Sequence, residues 1–174
     1  LKQKNLLEKT NKVALIGTWE FNLKENKLDW SEVTKIIHDV ESDYVPNKQE
    51  AILFYKEGEN RGRIERLFKK CIEEVKSYDE EFEIITQKGK RKIIRSIGIP
   101  ECNENNECIG VYGTLQDITE ARDKEEINAR YHALFNSLND AILILDKFKI
   151  IGCNKLAENL FDDLRENIIG KSPI

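Results

Sequence analysis

The chain has 174 residues, of which 40% are apolar and 34% charged, and its formal net charge is −4. This length and composition suit one complete domain with part of another, or one large domain, with a buried core. The Lys and Arg residues are scattered, which argues against a basic stripe that binds nucleic acid. The sequence also contains no apolar run of roughly 18 residues, the length needed to cross a bilayer.

The amino terminus "LKQKNLLEKTNK" lacks the apolar segment of a secretion signal, and the sequence contains no Met. We interpret the chain as a segment of a longer protein and expect it to be cytoplasmic. Residues 3–15 are predicted to form an amphipathic helix that Gly17 ends, so that residues 1–16 are an amino-terminal helical segment. The strands "TWEFNL" (18–23) and "KLDW" (27–30) follow, joined by a tight turn.

Ser31 is predicted to cap a short helix, "EVTKIIHDV". The clearest helix covers 59–78, where apolar residues recur at helical spacing on one face and charged residues occupy the other. Three strands follow, "EEFEIITQ", "RKIIRSIGIPE" and "CIGVYGTLQD", separated by the turns "KGK" and "NENN". This order predicts an α+β domain with a five-stranded antiparallel sheet and its helices on one face.

The last strand is followed at once by a predicted helix over 120–138. Asp117 and Glu120 have the spacing of a capping box, and Thr119 is an alternative cap. The apolar residues of this helix step by four, three and four positions, as in a heptad seam: Ile127, Tyr131, Leu134 and Leu138. Because such a helix is marginally stable alone, we expect a partner helix.

An internal repeat is the most informative pattern in the sequence. The segment "TWEFNLKENKLDWSEVTKIIHDV" can be laid over "AILILDKFKIIGCNKLAENLFDD" as strand, turn, strand and helix. The overlay pairs two predicted caps and two helix positions: Ser31 with Asn154, Ile37 with Leu160, and His38 with Phe161. The second copy ends at "IIGKSPI", before any long helix or further strands.

The segments "GTWEFNL", "LDWSEVTKII", "YDEEFEIITQKGK", "RSIGIPE" and "VYGTLQDIT" resemble a PAS domain of the kind found in bacterial and archaeal sensor proteins. The resemblance places a PAS domain at 17–119, a linker helix at 120–138 and the start of a second PAS domain at 139–174. It implies that Asp117, Ile118 and Thr119 relay a signal into the linker helix.

In this family such domains usually lie upstream of a histidine kinase or a cyclic-di-GMP enzyme, and often form dimers. The resemblance therefore implies a sensory module of a sensor histidine kinase, with a cyclic-di-GMP enzyme as the alternative parent. It also implies a homodimer formed through the amino-terminal and linker helices.

Some PAS relatives bind haem, flavin or small metabolites between the sheet and the helices. The sequence lacks the flavin-type cysteine segment, and 59–78 contains no His for a haem, so both cofactors are disfavoured and the ligand stays unknown. A pocket, if present, is expected to be lined by Phe21, Ile37, His38, Leu67, Cys71, Phe82 and Tyr112. His38 is either a satisfied core residue or a polar group facing that pocket. Alternatively, the aromatic residues fill the core completely.

The four cysteines, Cys71, Cys102, Cys108 and Cys153, have no zinc-like or CxxC spacing, and no metal site is predicted. Cys102 and Cys108 flank a predicted turn, so a disulfide is geometrically possible; reduced thiols are the alternative. The acidic clusters lie on solvated faces, and "GKS" at 170–172 lacks the upstream glycine of a phosphate-binding loop. This segment is therefore not expected to be an enzyme.

The leading functional hypothesis is that a change in the first core shifts helix 120–138 through Asp117, which bonds helix-start amides and Arg95. The rival is a ligand-free module that aligns output domains by dimerisation. Residues 139–174 alone are too few to bury a complete core, so we expect them to be poorly ordered or covered by another chain.

Overall fold

The computed structural model describes residues 14–172. The chain divides into two compact units, with the boundary between Arg122 and Asp123. The first unit contains β1 (Ile16–Asn22), β2 (Lys27–Trp30), α1 (Glu32–His38), α2 (Lys48–Leu53), α3 (Glu59–Glu73), β3 (Tyr78–Ile85), β4 (Arg91–Cys102) and β5 (Cys108–Asp117). Helix α4 (Thr119–Ser137) starts in the last residues of the first unit. The second unit contains β6 (Leu143–Asp146), β7 (Lys149–Cys153), α5 (Lys155–Phe161) and α6 (Arg165–Ile168).

The first unit is an α+β fold whose sheet has the order β2-β1-β5-β4-β3, with every neighbouring pair antiparallel. The last strand in sequence, β5, is the middle strand in space, because it pairs with β1 on one side and β4 on the other. The predicted five-stranded antiparallel sheet with helices is confirmed.

Strand alternation sets which side chains enter the core. On β5, Val111 and Leu115 are buried, whereas Tyr112 between them is exposed. The core consists of the buried alternate residues of the strands together with residues of the helices: Trp19, Phe21, Leu28, Val33, Ile37, Tyr55, Ile64, Cys71, Tyr78, Phe82, Ile84, Ile94, Val111 and Leu115.

The predicted amino-terminal helix lies mostly outside the described residues, and its described end differs from the prediction. Ala14 and Leu15 form a turn, and Ile16 already belongs to β1, where it pairs with Gln116. Gly17 lies within the strand. A Cβ atom on Gly17 would come within 2.2 Å of Thr34 Oγ1. This glycine therefore permits close packing of β1 against α1, and does not end a helix.

Other element boundaries also differ from the sequence-based expectation, among them the end of α3 and the start of β3. Helix α3 ends at Glu73, since Val75 has a left-handed backbone (φ 52°). Strand β3 begins at Tyr78, two residues earlier than predicted, because Tyr78 pairs with Gly98 of β4. The cap at Ser31 is confirmed: its Oγ accepts hydrogen bonds from the amides of Thr34 and Thr18.

The second unit is a hairpin with two short helices. Asn154 caps α5, as the repeat predicts, and its amide donates to the carbonyls of Phe135 and Asp140. The buried cluster of the second unit contains Ile150, Cys153, Ala157 and Ile168. Large apolar side chains remain exposed, among them Phe148, Leu160 and Phe161. The last two differ from their repeat partners Ile37 and His38, which are buried.

Candidate ligand cavity and helix joint

A small cavity lies between the sheet and the helices of the first unit. Its volume is about 70 Å³. Side chains from β1, β2, β3, β5 and all three helices line it: Trp19, Phe21, Leu28, Trp30, His38, Lys48, Ala51, Ile52, Tyr55, Ile64, Phe68, Tyr78 and Leu115. Pockets that enclose drug-sized ligands usually measure roughly 300–1,000 Å³. As shaped here, the cavity suits a group of a few atoms, and a flavin or haem would require the core to open.

His38 brings a polar ring to this largely apolar cavity. Its Nδ1 lies 2.8 Å from the carbonyl oxygen of Thr34, one turn earlier in α1. Because a carbonyl only accepts hydrogen bonds, Nδ1 carries the proton and Nε2 is the acceptor of the neutral ring. The ring is buried, and burial lowers the pKa of His38 to about 4, with nearby Lys92 acting in the same direction. His38 is therefore neutral at physiological pH.

Lys48 places a cation at the aromatic side of the cavity. Its Nζ lies 5.6 Å from the ring centroid of Phe21 and 5.3 Å from that of Phe68. Both distances fall within the range of cation–π attraction. A ligand bound here would meet apolar walls, the acceptor nitrogen of His38 and the ammonium group of Lys48.

The structure separates the seven residues predicted to line a pocket. Phe21 and His38 line the cavity. Ile37, Cys71 and Phe82 are buried elsewhere in the same core, and Leu67 packs against that core half-buried.

Tyr112 was wrongly assigned to the pocket, because its side chain is on the opposite face of the sheet and is 46% exposed. It lines an open groove there with Ile97, Ile99 and Thr114. Strict alternation from Val111 places it on that face. Sequence reasoning missed Lys48, which carries no pattern of its own, and did not assign Trp30 to the pocket. Trp30 directly precedes the Ser31 cap, and this position could have indicated that its side chain lies near α1 and the cavity.

The joint between β5 and α4 is built around Asp117. Its Oδ1 accepts hydrogen bonds from the amide and the hydroxyl of Thr119, at 3.1 Å and 2.6 Å. The Thr119 hydroxyl oxygen also accepts from the amide of Ile93 on β4. Ile118 continues the strand ladder, since its amide donates to the carbonyl of Ile93. The first turn of α4 is thus bonded directly to the sheet.

The cation that pairs with Asp117 is Lys92. The expectation that Arg95 bonds Asp117 was wrong. Arg95 forms an ion pair with Asp79 across β3 and β4, with Nε 2.7 Å from Oδ1. Arg95 is on the outward side of β4, whereas Lys92 is on the same side as buried Ile94. The choice of cation follows from strand alternation.

Lys92 connects the joint to the helix that carries His38. Its Nζ lies 3.3 Å from Asp117 Oδ2 and donates to the carbonyl oxygen of Ile37 at 2.8 Å. Both charged side chains are mostly buried, with exposed fractions of 19% for Lys92 and 13% for Asp117. Salt therefore screens this pair less than a surface pair.

Within residues 14–172, no group of three or more His, Cys, Asp or Glu side chains is arranged to hold a metal ion. None of the helices in this part of the chain is both long and apolar enough to cross a membrane.

Known proteins are similar to this chain in sequence and in fold. The chain is 26% identical over 168 residues to the probable diguanylate cyclase DgcE of Escherichia coli (strain K12), a match that covers 92% of this chain and 15% of that protein. It is 23% identical over 163 residues to the sensor protein FixL of Bradyrhizobium diazoefficiens, covering 91% of this chain and 31% of that protein. The chain therefore spans less than a third of the length of either relative.

Among solved structures, a sensory box histidine kinase/response regulator from Burkholderia thailandensis E264 has a TM-score of 0.58 at 24% identity, covering 74% of this chain and 96% of that one. This likeness shows a shared fold. The family model described as "PAS fold" matches residues 27–115, about half of the chain, and the model described as "PAS domain" matches 129–173. The chain therefore belongs to the PAS family.

Proposed function

We propose that this chain is the sensory region of a signal-transduction protein, in which a change in the first PAS core is passed through α4 to a downstream output domain. We propose that the parent is a sensor histidine kinase located in the cytoplasm. The observation that carries the proposal is the contact of Lys92 with both Ile37 and Asp117, which connects the cavity helix to the start of α4.

The proposed path has three steps. A ligand or contact that displaces the His38 ring moves the carboxyl end of α1, which includes the carbonyl of Ile37. Lys92 then adjusts its position between that carbonyl and Asp117. A shift of the Asp117 carboxylate changes the hydrogen bonds that hold Thr119, the first residue of α4.

A stimulus acts on this path only through its different affinities for two arrangements of the joint. Moving the population from almost entirely one state to almost entirely the other needs about 5.5 kcal/mol of differential binding. The mostly buried pair of Lys92 and Asp117 suits such a switch, because leaving a charged partner uncompensated costs at least about 1–3 kcal/mol.

Hydrogen exchange of the chain tests the path. Lys92→Met should accelerate amide exchange at Thr119 and Arg122 by about tenfold or more, since both amides are bonded at the joint. Lys88→Met is the matched control, because Lys88 is an exposed lysine in the neighbouring β3–β4 turn. Trp fluorescence should show that the core remains folded. Equal exchange in both variants would refute the path.

We further propose a homodimer formed through α4 and the amino-terminal segment. The seam residues Ile127, Tyr131, Leu134 and Leu138 are all exposed in the single chain, which supports a partner for this surface. A parallel pair of α4 helices would bring two joints into one assembly, and a change at Asp117 would then alter the register of the pair.

Two alternative functions have support of their own. The small volume of the cavity favours a ligand-free dimerisation module. The similarity to DgcE favours the PAS region of a cyclic-di-GMP enzyme. Native mass spectrometry of the purified chain distinguishes ligand sensing from the ligand-free dimerisation module. A stoichiometric extra mass supports sensing of a ligand, and a dimer without extra mass supports the dimerisation module. Assays of the full-length parent for histidine phosphorylation and for GTP turnover separate the outputs.

A further inference from the structure

Three thiols lie near one another at one end of the first sheet, and none of them lines the cavity. Cys71 is on α3, Cys102 ends β4, and Cys108 begins β5. They are close enough to influence one another electrostatically, since the thiols of Cys102 and Cys108 both contribute to raising the pKa of Cys71. All three are in the reduced form. Sequence spacing alone could not place Cys71 beside the other two.

Cys102 and Cys108 face each other directly across the two strands. The register pairs their Cα atoms, with a bulge between Glu101 and Cys102. Directly opposed residues of antiparallel strands have Cα atoms about 4.5–5.5 Å apart and side chains on the same face. A disulfide requires Cα atoms separated by about 4.4–6.8 Å. The register therefore brings the two cysteines opposite each other, and the bulge beside them sets how closely their sulfur atoms approach.

The surroundings distinguish this pair from the third thiol. Cys102 and Cys108 are half-buried, so a small reagent can approach the pair, whereas Cys71 is fully buried. Burial raises the pKa of Cys71 to about 11 and also raises that of Cys108. The Cys108 thiol also donates a hydrogen bond to the carbonyl of Gly110 at 3.1 Å. Cys71 is consequently protonated and covered, and takes the role of a core residue.

We propose that Cys102 and Cys108 form a redox-modification site, a dithiol that low-molecular-weight disulfides oxidise to a cross-strand disulfide. This inference goes beyond the proposed sensory function, because it needs neither the cavity nor a ligand bound in it.

The reaction is an ordinary pair of thiol–disulfide exchanges. The Cys102 thiolate attacks one sulfur of the small disulfide, the sulfur–sulfur bond breaks, and one small thiolate leaves. Cys108 then loses its proton to solvent and attacks the Cys102 sulfur, which expels the second small thiolate. The protein dithiol is oxidised by two electrons, the small disulfide is reduced to two thiols, and the two protons from the cysteines end on those thiols.

The position of the bond gives it structural consequences. It would fix the start of β5, the central strand that ends at Asp117. It would also lie near Cys71 of α3, since both sulfur atoms influence the Cys71 thiol. Oxidation would therefore stiffen the β4–β5 hairpin.

Mass spectrometry of the whole chain tests the site directly. The chain is incubated with oxidised glutathione at mildly alkaline pH, quenched in acid, unfolded in guanidinium chloride, blocked with N-ethylmaleimide near neutral pH and digested with trypsin. The fragment 96–122 contains Cys102 and Cys108, while Cys71 is in fragment 71–76 and Cys153 in 150–155. We expect 96–122 to lack two hydrogens and carry no blocking group, with the other two fragments blocked.

Several results would overturn the proposal: two blocking groups on 96–122, glutathione retained on the wild-type fragment, or a link from 96–122 to 71–76. In Cys108→Ser, the first exchange should proceed and leave a stable glutathione adduct on Cys102. Cys71→Ala is the control and should still form the disulfide. Should Cys108→Ser fail to fold, as judged by Trp fluorescence, the digests of the wild type and of Cys71→Ala decide the question.

Discussion

The ring of His38 stacks on the indole of Trp30, with 4.2 Å between the centroids and 20° between the planes. Phe54 contacts the same imidazole edge-on at 4.8 Å. His38 is thus an aromatic core residue and a polar cavity residue at once, and the alternatives left open by the sequence are not exclusive. The enclosure by two aromatic rings accounts for the desolvation that keeps the imidazole neutral.

Acid should destabilise the first unit through His38. Its folded-state pKa of about 4 lies below the ordinary 6.5, so the unfolded chain binds a proton first as the pH falls. Stability is present above about pH 6.5 and is lost between there and pH 4, by about 2–3 kcal/mol. His38→Phe, which retains an aromatic ring, should remove this part of the acid sensitivity. Urea unfolding at neutral pH and near pH 4.5 measures it.

Fluorescence makes this experiment specific to the first unit, because Trp19 and Trp30, the two tryptophans of the chain, both belong to it. His132→Gln is the control, as His132 belongs to the second unit. Parallel loss of stability with falling pH in the wild type and His38→Phe would show that the buried imidazole does not cause it. The charged neighbours of the ring, Lys92 and Asp39, are present in both proteins, so the comparison isolates the imidazole.

Phe21→Ala and Tyr112→Ala should have very different effects on stability. Phe21 is 3% exposed and contacts the ring of Phe68, so its loss should cost about 3–5 kcal/mol. Tyr112 is on the open face of the sheet, and its loss should cost under about 1 kcal/mol. Chemical denaturation followed by fluorescence measures both. Similar costs would contradict the assignment of the two residues to opposite faces.

Two glycine substitutions should change stability in opposite directions. A Cβ at Gly113 would come within 1.8 Å of the Ile97 carbonyl oxygen on the neighbouring strand, so Gly113→Ala should cost more than about 2 kcal/mol. Gly62 is inside α3, where the nearest atom to a new Cβ is the flexible end of Arg66. Gly62→Ala should stabilise by about 0.5–1 kcal/mol. Thermal unfolding of the two variants tests the expected difference in sign.

The proposed dimer seam can be tested by charge insertion. Leu134→Glu should weaken self-association at least tenfold, because it places a carboxylate in the apolar seam of both helices. Ala129→Glu adds the same charge at an exposed position on the side of α4 opposite the seam and should leave association unchanged. Sedimentation velocity over a range of concentrations gives the dissociation constants. A dimer that tolerates Leu134→Glu would have to form through another surface.

The elements of the fold were predictable because each depends on local patterns. Alternation defined the strands, helical spacing defined α3, and Ser31 marked the start of α1. The errors arose where several elements meet. Ile16 looked like the end of a helix, but its partner Gln116 is a hundred positions along the chain. Such a pairing leaves no trace near Ile16 itself.

The site was partly predictable for the same reason. The repeat singled out His38, and the joint was found from Asp117 and its neighbours. The role of Lys92 could not be found from spacing, since its two partners are on α1 and at the end of β5. Tyr112 was different: the alternation of its own strand already placed it on the outer face.

The insertion of β5 between β1 and β4 also orders the events of biosynthesis. While the chain emerges from the ribosome, β1–β2 and β3–β4 can each form a hairpin, but the two hairpins have no common strand until β5 is made. Asp117 is the last residue of that strand, so α4 is anchored only when the whole sheet has closed. Long-range closure of this kind is slow compared with hairpin formation. A nascent polypeptide interrupted before Asp117 would contain two hairpins that are not yet paired through β5. It would also lack the carboxylate that bonds the first residue of α4.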